Sequence, residues 1–184
     1  MKSRNLLFSL FLLSQTPAFA QHTQELGILW MNDSDGHNTY APGFAVQWVK
    51  GLGRFTSVET GLGYKVYATT YYAPDVNGKI IPADLITHNI IVPARFRFGH
   101  KWLRIQAGGD FAFYLSHTVK PQLSPTIDLG LNVQNISFHP VVGICTPWKL
   151  KNNWIIEPGI SASSPISIGG VAWGFNLALR KKLR

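Results

Sequence analysis

Ser116-His117 places a hydroxyl nucleophile directly beside a base, the pairing that acyl transfer requires. The two must come within hydrogen-bond reach to act together. In an extended segment, adjacent side chains point to opposite faces, so this pair cannot cooperate. His22, His37, His88, His100, His117 and His139 are scattered, and none has metal-ligand spacing. Cys145 stands alone, which excludes an intramolecular disulfide and thiolate metal clusters. Asp33-Ser34-Asp35-Gly36-His37 is similar to a fragment of a calcium loop, but the later ligands and the closing Glu are missing. It reads as a turn-rich loop with at most weak surface calcium binding. No catalytic residue, metal ligand or cofactor site is assigned.

A second set of residues points to ion pairing. Glu59, Arg95, Arg97, Arg104, Glu157 and Arg180 fall on the non-aromatic side of their segments. A guanidinium presents a planar fork that can hold carboxylates on two sides, so Arg suits confined charge networks. The expectation is an interior cluster in which Glu59 meets Arg95 or Arg97 and Glu157 bridges toward Arg104 or Arg180. Its role would be structural, a plug; the alternative is a gated proton or ion path through the same residues.

Positioning such a set requires strands. In Phe55–Thr69, Val58, Thr60, Leu62, Tyr64, Val66 and Ala68 alternate with Ser57, Glu59, Gly61, Gly63 and Lys65. Period two is the signature of a strand with two different faces. Leu103, Ile105, Ala107, Phe111, Phe113 and Leu115 alternate in the same way with Arg104, Gln106, Gly108 and Asp110. Near the end, Trp173, Phe175, Leu177 and Leu179 oppose Gly174, Asn176, Ala178 and Arg180. The pattern predicts strands at about Gln24–Met31, Gly43–Lys50, Phe55–Thr69, Thr87–Phe98, Trp102–His117, His139–Trp148, Asn153–Ser161 and Gly169–Lys182. Thr126–Ser137 could add a strand, but is assigned to a loop because single-chain bacterial barrels have even strand counts; the alternative is ten strands, which needs one more pairing segment besides it. Pro93 and Pro158 lack a ladder donor and should mark bulges or interrupted pairing. Short connections at 51–54, 99–101 and 150–152 alternate with long ones at 32–42, 70–86, 118–138 and 162–168. That is the layout of a membrane barrel with short periplasmic turns and long external loops.

Residues 1–20 read as a cleaved secretory signal peptide: Lys2 and Arg4, an apolar run Leu6–Leu13, then Ala18-Phe19-Ala20. Residues 21–184 form one domain of net charge +6 once Lys2 and Arg4 are removed. Export argues against a nucleic-acid partner for this basic chain. An aromatic-rich apolar face, a second face mixing Gly with full charges, and strands exceeding the roughly 9–11 residues needed to span a bilayer favour membrane over water. The fold class expected is all-β: an up-and-down antiparallel transmembrane β-barrel of eight strands in the bacterial outer membrane.

Asn89–Phe98 (NIIVPARFRF) followed by Leu103–Leu115 (LRIQAGGDFAFYL), with Ile127-Asp128-Leu129-Gly130, resembles the outer-membrane β-barrel families common in Bacteroidetes, including the PorT-like group. The resemblance covers about half of the mature chain. It implies an eight-stranded outer-membrane barrel and, for most members, no assigned activity. One departure is the end, Lys181-Lys182-Leu183-Arg184, where these proteins usually finish near an aromatic. The function expected is a monomeric, non-enzymatic integral barrel, surrounded by outer-membrane lipid and acting through external loops or a periplasmic or cell-surface protein in a structural, binding or secretion-associated role. A narrow pore, an outer-membrane lipid-modifying enzyme and a soluble lipocalin-like carrier are the alternatives.

Overall fold

The computed structural model describes residues 23–34, 39–74, 77–100, 102–120, 135–164 and 171–183. The segment assigned to the signal peptide lies outside the described residues. Nine strands are described: β1 (Gln24–Ser34), β2 (Thr39–Gly51), β3 (Thr56–Pro74), β4 (Ile80–Gly99), β5 (Arg104–Lys120), β6 (Ile136–Cys145), β7 (Trp148–Lys149), β8 (Trp154–Ser163) and β9 (Ala172–Leu183). The other regular element among these residues is a single 3-10 turn, Lys151–Asn153.

Every pairing is antiparallel. β1 through β6 pair in chain order, β8 pairs with both β6 and β9, and β9 returns to β1. The eight long strands therefore form a closed ring with no open edge around its circumference, and β7 is a two-residue spur on β8. Closure follows from sequence: each strand keeps its apolar alternation, so each must find partners on both sides while turning the same face outward.

The start of β1, the end of β9 and the tight turns share one end, called here the near end. Gln24 lies across from Leu183. Leu52 N donates to Thr56 O at 2.9 Å, His100 N to Leu103 O at 2.9 Å and Leu150 N to Trp154 O at 2.8 Å, closing the three turns.

At the far end the strands run on past their predicted limits. β3 reaches Pro74, β4 begins at Ile80, and the two pair from Thr56↔Phe98 to Pro74↔Ile80. The segment 70–86, expected as a loop, is mostly a hairpin continuing beyond the rim at which β1 ends, and β5 follows it as far as Asp84↔Lys120. Asp33 and Ser34, expected in a loop, belong to β1, and Asp33 is buried in the interior. Asp35, Gly36 and His37 lie outside the described residues, as do 126–134 of the possible additional strand, whereas Ile136 and Ser137 open β6. The sixth predicted strand stops at Cys145 rather than Trp148. Pro147 has no donor to continue the ladder, and Thr146 N donates instead to Pro158 O at 2.9 Å.

Two prolines interrupt pairing. The β3–β4 ladder passes from Thr60↔Ala94 to Gly63↔Ile91 with no partners between, at the level of Pro93. Pro158 sits where β8 changes partner from β7 to β6. A further register shift between His88 and Asn89 accommodates one extra residue of β5, since Tyr114 faces Asn89 while Ser116 faces His88.

The two faces differ in kind. Outward-facing Ile28, Val46, Leu62, Phe96, Ile105, Phe111, Val142, Ile160 and Phe175 are all exposed. Inward-facing Glu59, Lys65, Arg95, Arg97, Asp110, Glu157 and Arg180 are all buried, together with a small apolar group of Leu29, Met31, Ala45, Ile91, Ala112 and Ala178. The molecule is thus apolar outside and charged inside.

Candidate functional site

The interior charges gather into one network in the near half of the lumen. Glu59, from β3, lies 3.5 Å from Arg95 Nη1, 3.5 Å from Arg97 Nη1 and 3.8 Å from Arg180 Nη1. Gln47 Nε2 donates to its Oε1 at 2.7 Å. Glu157, from β8, forms an ion pair with Arg180 Nη2 at 2.5 Å and accepts from Arg104 Nη1 at 3.1 Å, and its other oxygen pairs with Arg97 Nη2. The six charged residues picked out by alternation therefore meet in a single cluster.

Two further acids complete it. Asp110 holds Arg95 through both carboxylate oxygens, at 2.7 and 3.0 Å from Nη2. Glu25 lies 3.1 Å from Arg180 Nε. Four carboxylates (Glu25, Glu59, Asp110, Glu157) thus face four guanidiniums (Arg95, Arg97, Arg104, Arg180), and the network is formally neutral. Neutrality matters because Arg97 and Arg180 are 1% and 0% exposed. A charge buried this deeply is costly unless an opposite charge stands beside it, and here the ion pairs supply that charge.

Backbone shape makes room for it. A Cβ on Gly27 would stand 2.5 Å from Arg180 Cγ and would overlap Leu179 O, so only glycine lets the Arg180 side chain lie flat against β1. The cavity left among Gln47, Glu59, Gln106, Glu157 and Asn176 is about 10 Å³. That is close to the least space one water needs. A larger hollow of about 80 Å³ opens at the near end among Glu25, Arg54, Ser57, Arg97 and Arg104.

A second group fills the far half. Lys65 pairs with Asp33, and Ser163 Oγ donates to the same carboxylate at 3.2 Å. The Lys65 ammonium lies 5.2 Å from the Tyr67 ring centroid. His139 is held at both nitrogens, Nδ1 by Tyr67 Oη at 2.7 Å and Nε2 by Ser137 Oγ at 2.8 Å. A Cβ on Gly174 would overlap Asp33 Oδ1, so this glycine reserves the space for the carboxylate.

No family model and no curated relative matches the chain. Solved structures do resemble it in shape. The crystal structure of Ail, the attachment invasion locus protein of Yersinia pestis, aligns with a TM-score of 0.39 and 10% identity over 90% of this chain and 99% of that one. The backbone structure of the Yersinia pestis outer membrane protein Ail in a phospholipid bilayer nanodisc aligns with a TM-score of 0.36 and 14% identity, covering 87% and 99%. The translocator domain of the autotransporter NalP from Neisseria meningitidis gives 0.33 and 10%, covering 100% and 95%.

Ser116 and His117 are not brought together. His117 bonds through Nδ1 to Tyr114 Oη, and Ser116 faces His88 across the ladder. A serine–histidine contact that does form among the described residues, Ser137 Oγ with His139 Nε2, joins residues two apart on one strand face. Sequence reasoning missed it, together with Glu25, Asp33, Gln47, Lys65, Tyr67 and Asp110. Alternation alone places Lys65 and Asp110 on the inner face; their partners depend on which strands face each other across the lumen.

Proposed function

We propose that this chain is an integral outer-membrane β-barrel protein of the PorT-like kind, exported through a signal peptide at residues 1–20. In this reading the barrel is a closed scaffold rather than a conduit or an enzyme. The observation that carries it is the inversion of the two faces: Leu62 and Trp173 are 61% and 67% exposed outside, while Arg97 and Arg180 are buried inside. In water, each large apolar side chain left exposed forgoes about 1.5–3 kcal/mol of burial. In lipid the same surface is solvated, and a closed ring presents no open strand edge to the hydrocarbon.

The neutral ion-pair network supports the absence of conduction. Eight strands enclose just enough room for side chains, and here the room is taken by paired charges. An apolar ligand has no matching interior, which speaks against a lipocalin-like carrier. Function is then left to surfaces beyond the bilayer: the β3–β5 extension at the far end for a cell-surface protein, or the near-end turns for a periplasmic one.

Fractionation and gel mobility test the reading. The mature chain should sediment with outer membranes, require detergent for extraction and migrate differently before and after boiling. Recovery as a monodisperse water-soluble periplasmic protein would overturn it.

A further inference from the structure

The near end carries a feature that barrel closure does not require. β6 stops at Cys145, and instead of turning directly into β8 the chain makes the small β7 hairpin, with Trp148 against Ile156 and Lys149 against Ile155. Its turn is fixed by Asn152 and Asn153 in left-handed conformation, at φ of 58° and 63°. Asparagine is among the few side-chain-bearing residues that adopt it readily. This ordered tab presents Trp148, Lys149, Leu150, Lys151 and Trp154 to the outside, all exposed. Lys181 of β9 pairs in register with Trp154, and its ammonium lies 5.8 Å from that ring's centroid. Lys182 follows it, also exposed. Among the described residues none of these four lysines has an ion-pair partner, and no acid lies in 146–154 or 181–183.

Apolar indoles beside unpaired ammoniums match the two-part chemistry of a bilayer boundary, where Trp sits at headgroup level and cations reach for phosphates. We propose that the β7–β8 tab with Lys181 and Lys182 is a binding site for anionic phospholipid headgroups. Its ligand is the phosphodiester of a lipid in the leaflet at the near end of the barrel. The inference rests on the membrane reading above and adds to it a place and a ligand class. An interior site is not needed: the cations lie on the rim, and the aromatic rings set the depth at which a headgroup would meet them.

Native mass spectrometry tests this on the full mature barrel, reconstituted in nanodiscs of equal phosphatidylcholine and phosphatidylglycerol. The wild-type barrel should emerge carrying phosphatidylglycerol in preference to phosphatidylcholine. Removing one near-surface cation should weaken that preference about fivefold. A Lys149→Gln/Lys151→Gln/Lys181→Gln variant should therefore abolish it, while Lys120→Gln at the far end should leave it unchanged. Boiling-dependent gel mobility is read on the same samples. A barrel that folds in both lipids but retains them in equal amounts, or whose preference survives the triple substitution, overturns the headgroup site and leaves the membrane reading intact. Loss of preference through Lys120→Gln, or capture of an acidic periplasmic protein by the tab with no lipid preference, also overturns it. Failure of the wild type to fold in any bilayer defeats the underlying reading instead.

Discussion

Replacing Glu157 by Gln should be the most damaging single-atom change in the lumen. Its carboxylate serves Arg97, Arg104 and Arg180, two of which are 1% exposed or less. Removing one partner of a buried ion pair costs about 3–5 kcal/mol, because the other charge is left uncompensated. Here Glu59 still stands 3.5 Å from Arg97 and 3.8 Å from Arg180, which retains part of the field, so the lower figure of about 3 kcal/mol applies. With a urea slope near 2 kcal/mol/M, the unfolding midpoint of Glu157→Gln should fall by about 1.5 M. The assay is equilibrium urea unfolding in lipid vesicles, followed by gel mobility and by tryptophan fluorescence. Arg104→Gln provides the internal comparison. Its side chain is 22% exposed and has one carboxylate partner, so its loss should cost about 1 kcal/mol or less. The reasoning is refuted if Glu157→Gln stays within about 0.5 kcal/mol of wild type, or if Arg104→Gln is the more damaging of the two.

Three further outcomes follow from the same geometry. Leu62→Arg on the outer face should destabilise the folded barrel by about 2–4 kcal/mol in vesicle unfolding, whereas Tyr72→Arg, on the extension beyond the rim, should change it by less than about 1 kcal/mol. Gly174→Val should displace Asp33 from Lys65 and cost roughly 2 kcal/mol or more, measured by the same unfolding assay. In planar bilayers the wild type should show almost no steady conductance, and an Arg97→Ala/Arg180→Ala variant that still folds should leak; a wild-type channel of stable conductance would contradict the plug.

What the sequence made legible was face rather than height. Alternation from Phe55 to Thr69 separates Leu62 and Tyr64 from Glu59 and Lys65, and the ring keeps that separation on every long strand. It also brought Glu59, Arg95, Arg97, Arg104, Glu157 and Arg180 to one side, because their inward parity is local information. The partners Asp110 and Glu25 were not legible in the same way. Asp110 lies opposite Pro93 rather than Arg95 in the ladder, and it meets Arg95 only diagonally. Glu25 meets Arg180 through the β1–β9 closure, a pairing between the two ends of the chain. Strand ends were misread where the environment stops enforcing alternation. Thr70, Tyr71, Tyr72, Pro82 and Asp84 mix polar and apolar groups in no order that separates them from a loop, although their backbones pair. The β7 tab was hidden for a different reason: Trp148 continues the outward alternation of β6, and only the missing donor of Pro147 signals the break.

The central claim is that the barrel turns its apolar face to lipid and its charged face inward. It is tested most directly along β5, in a Cys145→Ser background carrying single cysteines labelled with a fluorophore and reconstituted with brominated acyl chains. Labels at Ile105, Phe111 and Phe113 should be strongly quenched, and labels at Gln106 and Ala112 should not, giving a period of two along the strand. Equal quenching at all five positions, or quenching confined to Gln106 and Ala112, would contradict the account.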